Sequence, residues 1–181
     1  MKSAAYDGVR DFAAISLLGL QYMVACAGVS FPARDTRELV ALLKANPGKY
    51  SYATIGVGSV NHLAAEFFKA VTGTDVVHVP YKGTPEAIAD TIAGRVCCYW
   101  APLNAALPHV GGGKAVALAV SSAKRSAAVP ELPTIAEAGL TGYEMINWLG
   151  LFAPAGTPMP IVERISAESL RIVQTADVRE R

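Results

Sequence analysis

The sequence predicts an α/β fold in which helices cover both faces of a mainly parallel sheet. From about Asp35 onward, short apolar strand-like runs alternate with amphipathic segments of helical period. Glycines and helix-capping residues mark the boundaries between these segments. Such alternation brings successive strands into one parallel sheet, and ligands bind beyond the carboxyl ends of its strands.

Capping and turn residues in the first half of the chain predict two helices and two strands. Asp35 and Glu38 form a capping box that starts the first helix, and the Asn-Pro-Gly run at 46–48 stops it. The second helix follows a glycine-rich turn and ends at Gly73. Its apolar face is predicted to consist of Leu63, Phe67 and Val71. The predicted strands are 50–54 and 76–79.

The second half continues the pattern. Thr84 is the predicted N-cap of a third helix, with Pro85 at its first position. Residues 102–113 are interpreted as a loop, and Thr134 with Glu137 as the capping box of a short helix. The predicted strands are 96–100, 115–120 and 146–153, and the final helix runs from 157–158 to about 174.

Composition excludes some classes of protein. A hydrophobic share of 52% over 181 residues argues against disorder and supports a sizeable core. Sixteen basic and fifteen acidic residues give a net charge of +1, and no basic stripe stands out. A nucleic-acid partner is therefore not expected.

The N-terminus loosely imitates a processed leader. The mostly apolar run 12–27 follows Lys2 and Arg10 and ends in Met-Val-Ala-Cys. Asp7 and Asp11 interrupt the positive region, and the run is too short to span a bilayer. The run is interpreted as a buried strand, so the chain as written carries no credible export signal.

The cysteines and histidines predict no disulfide, metal or other cofactor. A bond between the adjacent Cys97 and Cys98 would close a strained ring and leave Cys26 over. The adjacent pair is interpreted as two thiols on an apolar strand. None of the three histidines has a second Cys or His three or four residues away on a helix.

The glycine-rich turn before the second helix is the main candidate site. Amides near Gly56, Gly58 and Ser59, together with the helix dipole, would favour an anion, and the glycines would let it approach closely. The turn has neither a P-loop Lys nor a third dinucleotide-fingerprint Gly, so a carboxylate is the expected ligand. Ser59 and Thr54 each have two interpretations, as ligand-binding hydroxyls or as groups that satisfy their own backbone. His62 would bind ligand or brace the turn.

A second strand-to-helix turn repeats the arrangement with Tyr81, Gly83 and Thr84. Two helix N-termini that converge on one cleft would bind a dianion better than one. Lys82 is interpreted as either a counter-charge or a solvated side chain. The predicted ligand-binding residues are Thr54, Gly56, Gly58, Ser59, His62, Tyr81, Gly83 and Thr84.

The motifs for catalysis are incomplete. Ser59 and His62 are three residues apart, but Asn61 replaces the second glycine of a G-x-S-x-G nucleophile elbow. No carboxylate near these turns is a clear candidate for an orienting group or for an acid/base partner. Binding without turnover is therefore predicted, and no catalytic residue is assigned.

Ordered motifs along nearly the whole chain resemble a known family. They include VPYKG at 79–83, APAGTP at 153–158, NPGK at 46–49, and GVGS at 56–59 followed by HL at 62–63. The chain is thereby similar to the Bug-type extracytoplasmic solute receptors, the substrate-binding components of tripartite tricarboxylate transporters.

The resemblance implies a type II periplasmic-binding-protein fold of two lobes that hold a carboxylated metabolite between them. The implied ligands are di- or tricarboxylates, acidic amino acids or aromatic acids, and the implied partners are membrane transporter subunits. The resemblance also implies a periplasmic location, although the chain as written would be cytoplasmic.

Relative to that family the chain is expected to be truncated at both ends. Residues 1–29 would be a first-lobe remnant and crossover strand, 30–143 a nearly complete second lobe, and 144–181 a return strand and first-lobe helix. Dimerisation would cover the apolar faces that the remnants expose.

Two other functions remain open. The chain would be an interaction or structural protein if it kept the fold and lost the ligand site. An esterase-like hydrolase would use Ser59 and His62.

Overall fold

The computed structural model describes residues 5–179. Lys2 of the leader-like pattern and the last two residues of the predicted segment 144–181 lie outside that range. The chain divides into two compact units. The sheet unit is Gln21–Asn147, and the terminal unit joins the residues before Gln21 to those from Trp148 onward.

The described residues form seven strands and six helices. The strands are β1 (Phe12–Gln21), β2 (Met23–Gly28), β3 (Ser51–Thr54), β4 (Val77–Pro80), β5 (Cys98–Pro102), β6 (Ala115–Val120) and β7 (Asn147–Pro154). The helices are α1 (Thr36–Ala45), α2 (Val60–Thr72), α3 (Thr84–Ile92), α4 (Leu103–Gly111), α5 (Met159–Val173) and α6 (Ala176–Arg179). Each strand predicted from residue 50 onward is present, with its ends shifted by two residues or fewer.

The sheet unit contains a five-stranded sheet with the order β4-β3-β5-β2-β6. β3 runs parallel to β4 and β5, whereas β2 is antiparallel to both β5 and β6. The sheet is therefore mainly parallel, as predicted, with β2 as the exception. The predicted boundary at residue 30 left β2 outside this unit, but all six of its residues are buried within the sheet.

Alternate residues of the central strands supply the two faces of the core. On β5, Cys98 and Trp100 pack on the face covered by α1 and α2, whereas Tyr99 and Ala101 pack on the face covered by α3 and α4. A sheet buried on both faces has apolar side chains in both sets of positions. The carboxyl ends of β3 and β4 remain at one edge, where each leads into a helix.

The predicted apolar face of α2 is wrong at two of its three residues, since only Phe67 packs against the core. Leu63 and Val71 are exposed, whereas the small side chains of Ala64 and Ala65 and the ring of Phe68 are buried. The two alanines let the helix backbone approach the sheet closely, and the ring of Phe68 packs against that of Trp100 at a centroid distance of 5.1 Å. Small residues thus mark the buried side of this helix.

Three further local predictions need correction. The predicted loop 102–113 contains α4, anchored by the buried side chains of Leu103 and Ala106, with Pro108 inside the helix. The N-cap of α3 is Gly83 rather than Thr84, which is its first helical residue. The capping box at 134–137 forms both of its hydrogen bonds, but the segment makes a turn and not a helix.

The terminal unit is built from the pair β1–β7 and the helices α5 and α6. A hydrogen bond of 2.9 Å joins the hydroxyls of Ser16 and Ser166. Many large apolar side chains of this unit are exposed, including those of Leu17, Leu20, Trp148, Leu149, Phe152, Ile161 and Ile172. The exposed apolar surface agrees with the expectation drawn from the sequence.

The three cysteines are free and buried. Burial raises the pKa of the Cys26 thiol to about 12, which keeps it protonated and unreactive. No helix within residues 5–179 is both long and apolar enough to cross a membrane.

Candidate functional site

The glycine loop, residues 55–59, connects β3 to α2. Gly56 and Gly58 have φ angles of 119° and 83°, which L-residues avoid because Cβ would crowd the backbone. A Cβ built on either glycine would meet no heavy atom within 4 Å beyond its chain neighbours. The loop therefore turns sharply and leaves open space beside its backbone.

Ser59 is the N-cap of α2. Its Oγ accepts a hydrogen bond from the His62 N–H at 3.3 Å and donates one to the Gly56 carbonyl at 2.8 Å. These bonds stabilise the turn and give an acceptor to the third N–H group of the helix, that of His62. The capping interpretation of Ser59 is confirmed, and contact with a ligand stays a prediction.

Three backbone donors at this junction are free. Among the hydrogen bonds of the described chain, none engages the N–H groups of Val57, Val60 or Asn61. The last two lie in the first turn of α2, where N–H groups have no intrahelical acceptor and carry the positive end of the dipole. Free amides beside open space are the chemistry that holds a carboxylate.

Thr54, at the end of β3, is completely buried and bonded within the protein. Its Oγ1 lies 2.5 Å from His78 Nε2 and accepts a hydrogen bond from the Gly56 N–H at 3.2 Å. Thr54 thus holds the first glycine of the loop. This geometry favours a bracing role over contact with a ligand.

His62 also braces the glycine loop. Its Nδ1 accepts a hydrogen bond from the Gly58 N–H at 3.4 Å. Asn61, one residue earlier, is buried and donates from Nδ2 to the Trp100 carbonyl at 2.5 Å, which ties the start of α2 to β5. This hydrogen bond of Asn61 was not predicted from the sequence. It could have been suspected, because Asn61 is a polar residue on a helix face whose other residues are small and apolar.

His78 is the functional candidate that sequence reasoning missed. Its imidazole lies 4.5 Å from that of His62, between ring centroids, and stacks on Tyr52 at 5.3 Å. Burial lowers the pKa of His78, and the nearby His62 lowers it further, while Glu66 opposes the shift. His78 is therefore held towards its neutral form.

Glu66 of α2 lies near the two histidines and pairs with Lys69. It accepts hydrogen bonds from the Tyr52 hydroxyl at 2.6 Å and from Lys69 Nζ at 2.7 Å. Burial raises the pKa of Glu66, but the bonds from Lys69 and Tyr52 outweigh it, so that the net pKa is lowered. The carboxylate is thus ionised and engaged within the protein.

The Tyr81 loop, residues 81–84, forms the neighbouring junction between β4 and α3. The Tyr81 N–H donates to the Thr54 carbonyl at 2.8 Å, which joins the two loops. The Tyr81 hydroxyl donates a hydrogen bond to Asp90 at 2.8 Å. Burial, followed by this bond, raises the pKa of the hydroxyl to about 12. The Thr84 Oγ1 lies 3.2 Å from the Tyr99 hydroxyl.

Free amides are present at the second junction as well. Among the described hydrogen bonds, none engages the N–H groups of Gly83 and Thr84. Gly83 has no side chain to cap α3, so the start of that helix keeps its donors. Because β3 and β4 are adjacent parallel strands, the two loops present amide donors at the same edge of the sheet.

The described geometry provides no Ser–His nucleophile. The link between Ser59 and His62 runs through the His62 backbone N–H, and the His62 Nδ1 is engaged by Gly58. No group of three or more His, Cys, Asp or Glu residues within 5–179 could hold a metal ion. The Tyr143 hydroxyl donates to the Ala64 carbonyl in the core at 2.8 Å.

Comparison with known proteins identifies the family. Residues 1–180 match the family described as "Tripartite tricarboxylate transporter family receptor". A protein of Pseudomonas sp. (strain P51), the UPF0065 protein in the tcbD-tcbE intergenic region, is 37% identical over 176 residues, which cover 97% of this chain and 52% of that protein.

Solved structures agree with the fold. R. palustris Rpa4515 with adipate has a TM-score of 0.88 and 32% identity, over 98% of this chain and 59% of that one. MatC (Rpa3494) from Rhodopseudomonas palustris with bound malate has a TM-score of 0.86 and 32% identity, over 97% and 60%. The chain therefore has the predicted α/β fold of periplasmic binding proteins.

The match extends over the whole of this chain but only part of its relatives. The chain spans about half the length of the curated relatives it matches. The family consists of solute-binding receptors, as the motifs in the sequence predicted. The chain belongs to the tripartite tricarboxylate transporter receptor family.

Proposed function

We propose that the chain is the substrate-binding component of a tripartite tricarboxylate-type transporter and binds a small carboxylate without turnover. The observation that carries the proposal is the set of free amides at the glycine loop, beside glycines that leave the backbone open. Similar proteins in complex with adipate and malate support a carboxylate ligand.

The proposed ligand contacts divide between the two loops. The N–H groups of Val57, Val60 and Asn61 would bind one carboxylate, with the Ser59 hydroxyl able to turn from the Gly56 carbonyl towards it. The N–H groups of Gly83 and Thr84 would serve a second anionic group. Two helix N-termini on adjacent strands match a dianion better than a monoanion.

The remaining predicted site residues would support these contacts. Thr54 and His62 hold Gly56 and Gly58 in place, and Tyr81 joins the two loops through its backbone. Lys82 of the Tyr81 loop is exposed. Recognition would rest mainly on neutral donors and the two dipoles, with Lys82 as a solvated side chain or a counter-charge beside them.

The wider assignment follows from the family. The sheet unit would be the second lobe of the receptor and the terminal unit a part of the first. The receptor would act in the periplasm and deliver its ligand to membrane transporter subunits. Exposed apolar side chains of β1, β7 and α5 would favour homodimers of this chain, because association would remove them from water.

Calorimetric titration tests the binding proposal. The full chain would be titrated with adipate, malate, citrate, glutamate and benzoate, with the uncharged adipamide as matched control for adipate. We expect saturable heat with at least one dicarboxylate, no heat with adipamide, and recovery of the ligand unchanged. A folded sample that gives no heat with any carboxylate would contradict the proposal.

The alternative is an interaction or structural protein that has lost the ligand site. The internal bonds of Ser59 favour it, because they explain this residue without a ligand. Under this alternative Ser59→Ala changes stability and no binding property. A reduced carboxylate affinity in Ser59→Ala at unchanged fold would exclude it.

A further inference from the structure

We propose that His78 and His62 are positioning residues, and that their neutral imidazoles hold the glycine loop in the form that binds a carboxylate. The inference rests on the proposed function, because the loop is the proposed ligand site. It assigns a role to two histidines that lie next to the loop.

His78 acts through Thr54. The Thr54 hydroxyl has one proton to donate and lone pairs to accept with. The Gly56 N–H uses a lone pair at 3.2 Å, and the hydroxyl proton can then go to His78 Nε2 at 2.5 Å. In this arrangement Nε2 is an acceptor, so the imidazole is neutral and carries its proton on Nδ1.

Protonation of His78 would reverse this bond. A protonated Nε2 becomes a donor, and the hydroxyl proton of the fully buried Thr54 must find another acceptor. An unpaired buried donor costs free energy. The Thr54 hydroxyl would have to rotate to find that acceptor, which would turn its lone pair away from the Gly56 N–H.

His62 acts on the second glycine directly. Its Nδ1 accepts the Gly58 N–H at 3.4 Å, which requires an unprotonated Nδ1. A proton on Nδ1 would face the Gly58 N–H with a second donor, so this hydrogen bond would be lost. In this arrangement both imidazoles are acceptors, and His62 holds Gly58 directly while His78 holds Gly56 through Thr54.

The surroundings of His78 favour its neutral form. The titratable groups that face it are His62, Glu66 and Lys69 from α2 and Tyr52 from β3, beside the hydroxyl of Thr54. The Tyr52 hydroxyl and Lys69 both donate to Glu66 Oε1, so the carboxylate is partly compensated, and its opposing effect on His78 is smaller than the effects of burial and His62. Burial and the neighbouring His62 lower the pKa of His78 accordingly.

Carboxylate affinity is expected to fall as the histidines are protonated. Release of one glycine amide lets the loop shift, which misplaces one of the free amides that would bind the carboxylate. Because the pKa of His78 lies below 6.5, the loss should appear below that pH, and we expect an affinity about tenfold lower at about pH 5 than at about pH 8. The charge on a protonated imidazole would by itself attract an anion. An affinity that rises on acidification would therefore overturn the proposal.

Amide NMR of the ligand-free chain tests the positions of the loop directly. We expect the Gly56 and Gly58 amide resonances to shift as the pH falls from about 8 to about 5. In His78→Gln, which keeps an acceptor oxygen and cannot titrate, the Gly56 response should vanish and that of Gly58 remain. His62→Gln should do the reverse, and His109→Gln, which alters a histidine on α4, should leave both responses intact.

Calorimetry at the same two pH values completes the test. His78→Gln should lose part of the pH dependence of affinity that the parent chain and His109→Gln retain. Glycine amides that do not titrate, or an equal pH dependence in all variants, would overturn the inference. Absence of binding at about pH 8 would instead overturn the proposed function, while the ligand-free amide titration still decides the role of the histidines.

Discussion

The glycine loop and the Tyr81 loop are neighbouring strand-to-helix junctions of one sheet, but different features hold their backbones. Side chains hold the glycine loop: Ser59 caps its helix, and Thr54 and His62 bind its amides. The Tyr81 loop has a glycine N-cap with an extended φ of −168° and no capping side chain. At the first junction side chains therefore hold both glycine amides and cap the helix, whereas at the second the only loop amide bound by a side chain among the described bonds is that of Lys82, which donates to Glu86 at 3.3 Å.

The largest difference between the loops should appear when the same substitution is made in both. Gly58→Ser should lower the free energy of unfolding by about 1–2 kcal/mol, because an L-residue is strained at a φ of 83°. Gly83→Ser should raise it by roughly a few tenths of a kcal/mol, because serine adopts extended backbone and caps a helix. Urea denaturation of both variants measures the two changes, and equal destabilisation would remove the distinction between the loops.

The capping residues give the next largest difference. Ser59→Ala should lower the free energy of unfolding by about 1 kcal/mol, because the first turn of α2 loses its side-chain acceptor. Thr84→Ala, at the first helical residue of α3, loses a single bond of 3.2 Å to Tyr99 and should cost about 0.5 kcal/mol. Thermal denaturation checks the order of the two, and a larger loss in Thr84→Ala would contradict the assigned caps.

The loops should also differ in their response to pH. The pKa of His78 lies below its ordinary value of 6.5 in the folded chain, so the unfolded chain binds more protons. The contribution of His78 to the free energy of unfolding is therefore fully present above pH 6.5, and it is lost as the pH falls through the lowered pKa. The Tyr81 hydroxyl, with its pKa raised to about 12, does not titrate in this range.

A direct check compares the parent chain with His78→Gln between about pH 5 and pH 8. The free energy of unfolding should fall less steeply on acidification in the variant, and Tyr81→Phe should leave the slope unchanged. The same slope in all three proteins would show that His78 is not held neutral by the fold.

Local signals explain why most elements could be predicted. The capping box at Asp35 and Glu38 and the left-handed Gly73 act within a few residues, so they mark the ends of α1 and α2 without knowledge of the fold. The glycine loop was found for the same reason, since its glycines and Ser59 act locally. Strand β6 appears with its predicted bounds because its apolar run ends at turn residues on both sides.

Tertiary contacts explain what could not be predicted. The buried side of α2 is decided by how closely Ala64 and Ala65 let it approach the sheet, and not by its largest apolar residues. The role of His78 depends on the pairing of β3 with β4, which places it opposite Tyr52 and within reach of Thr54. Neither the pairing of β3 with β4 nor the approach of α2 to the sheet can be read from a single segment of the sequence.

The central claim is that the glycine loop is the carboxylate-binding element, and an amide NMR titration of the full chain with adipate at about pH 8 tests it most directly. We predict that the N–H resonances of Val57, Val60 and Asn61 shift and saturate together, while those of Asn104 and His109 on α4 stay unchanged. Saturable binding that leaves the first three resonances unmoved would contradict the claim.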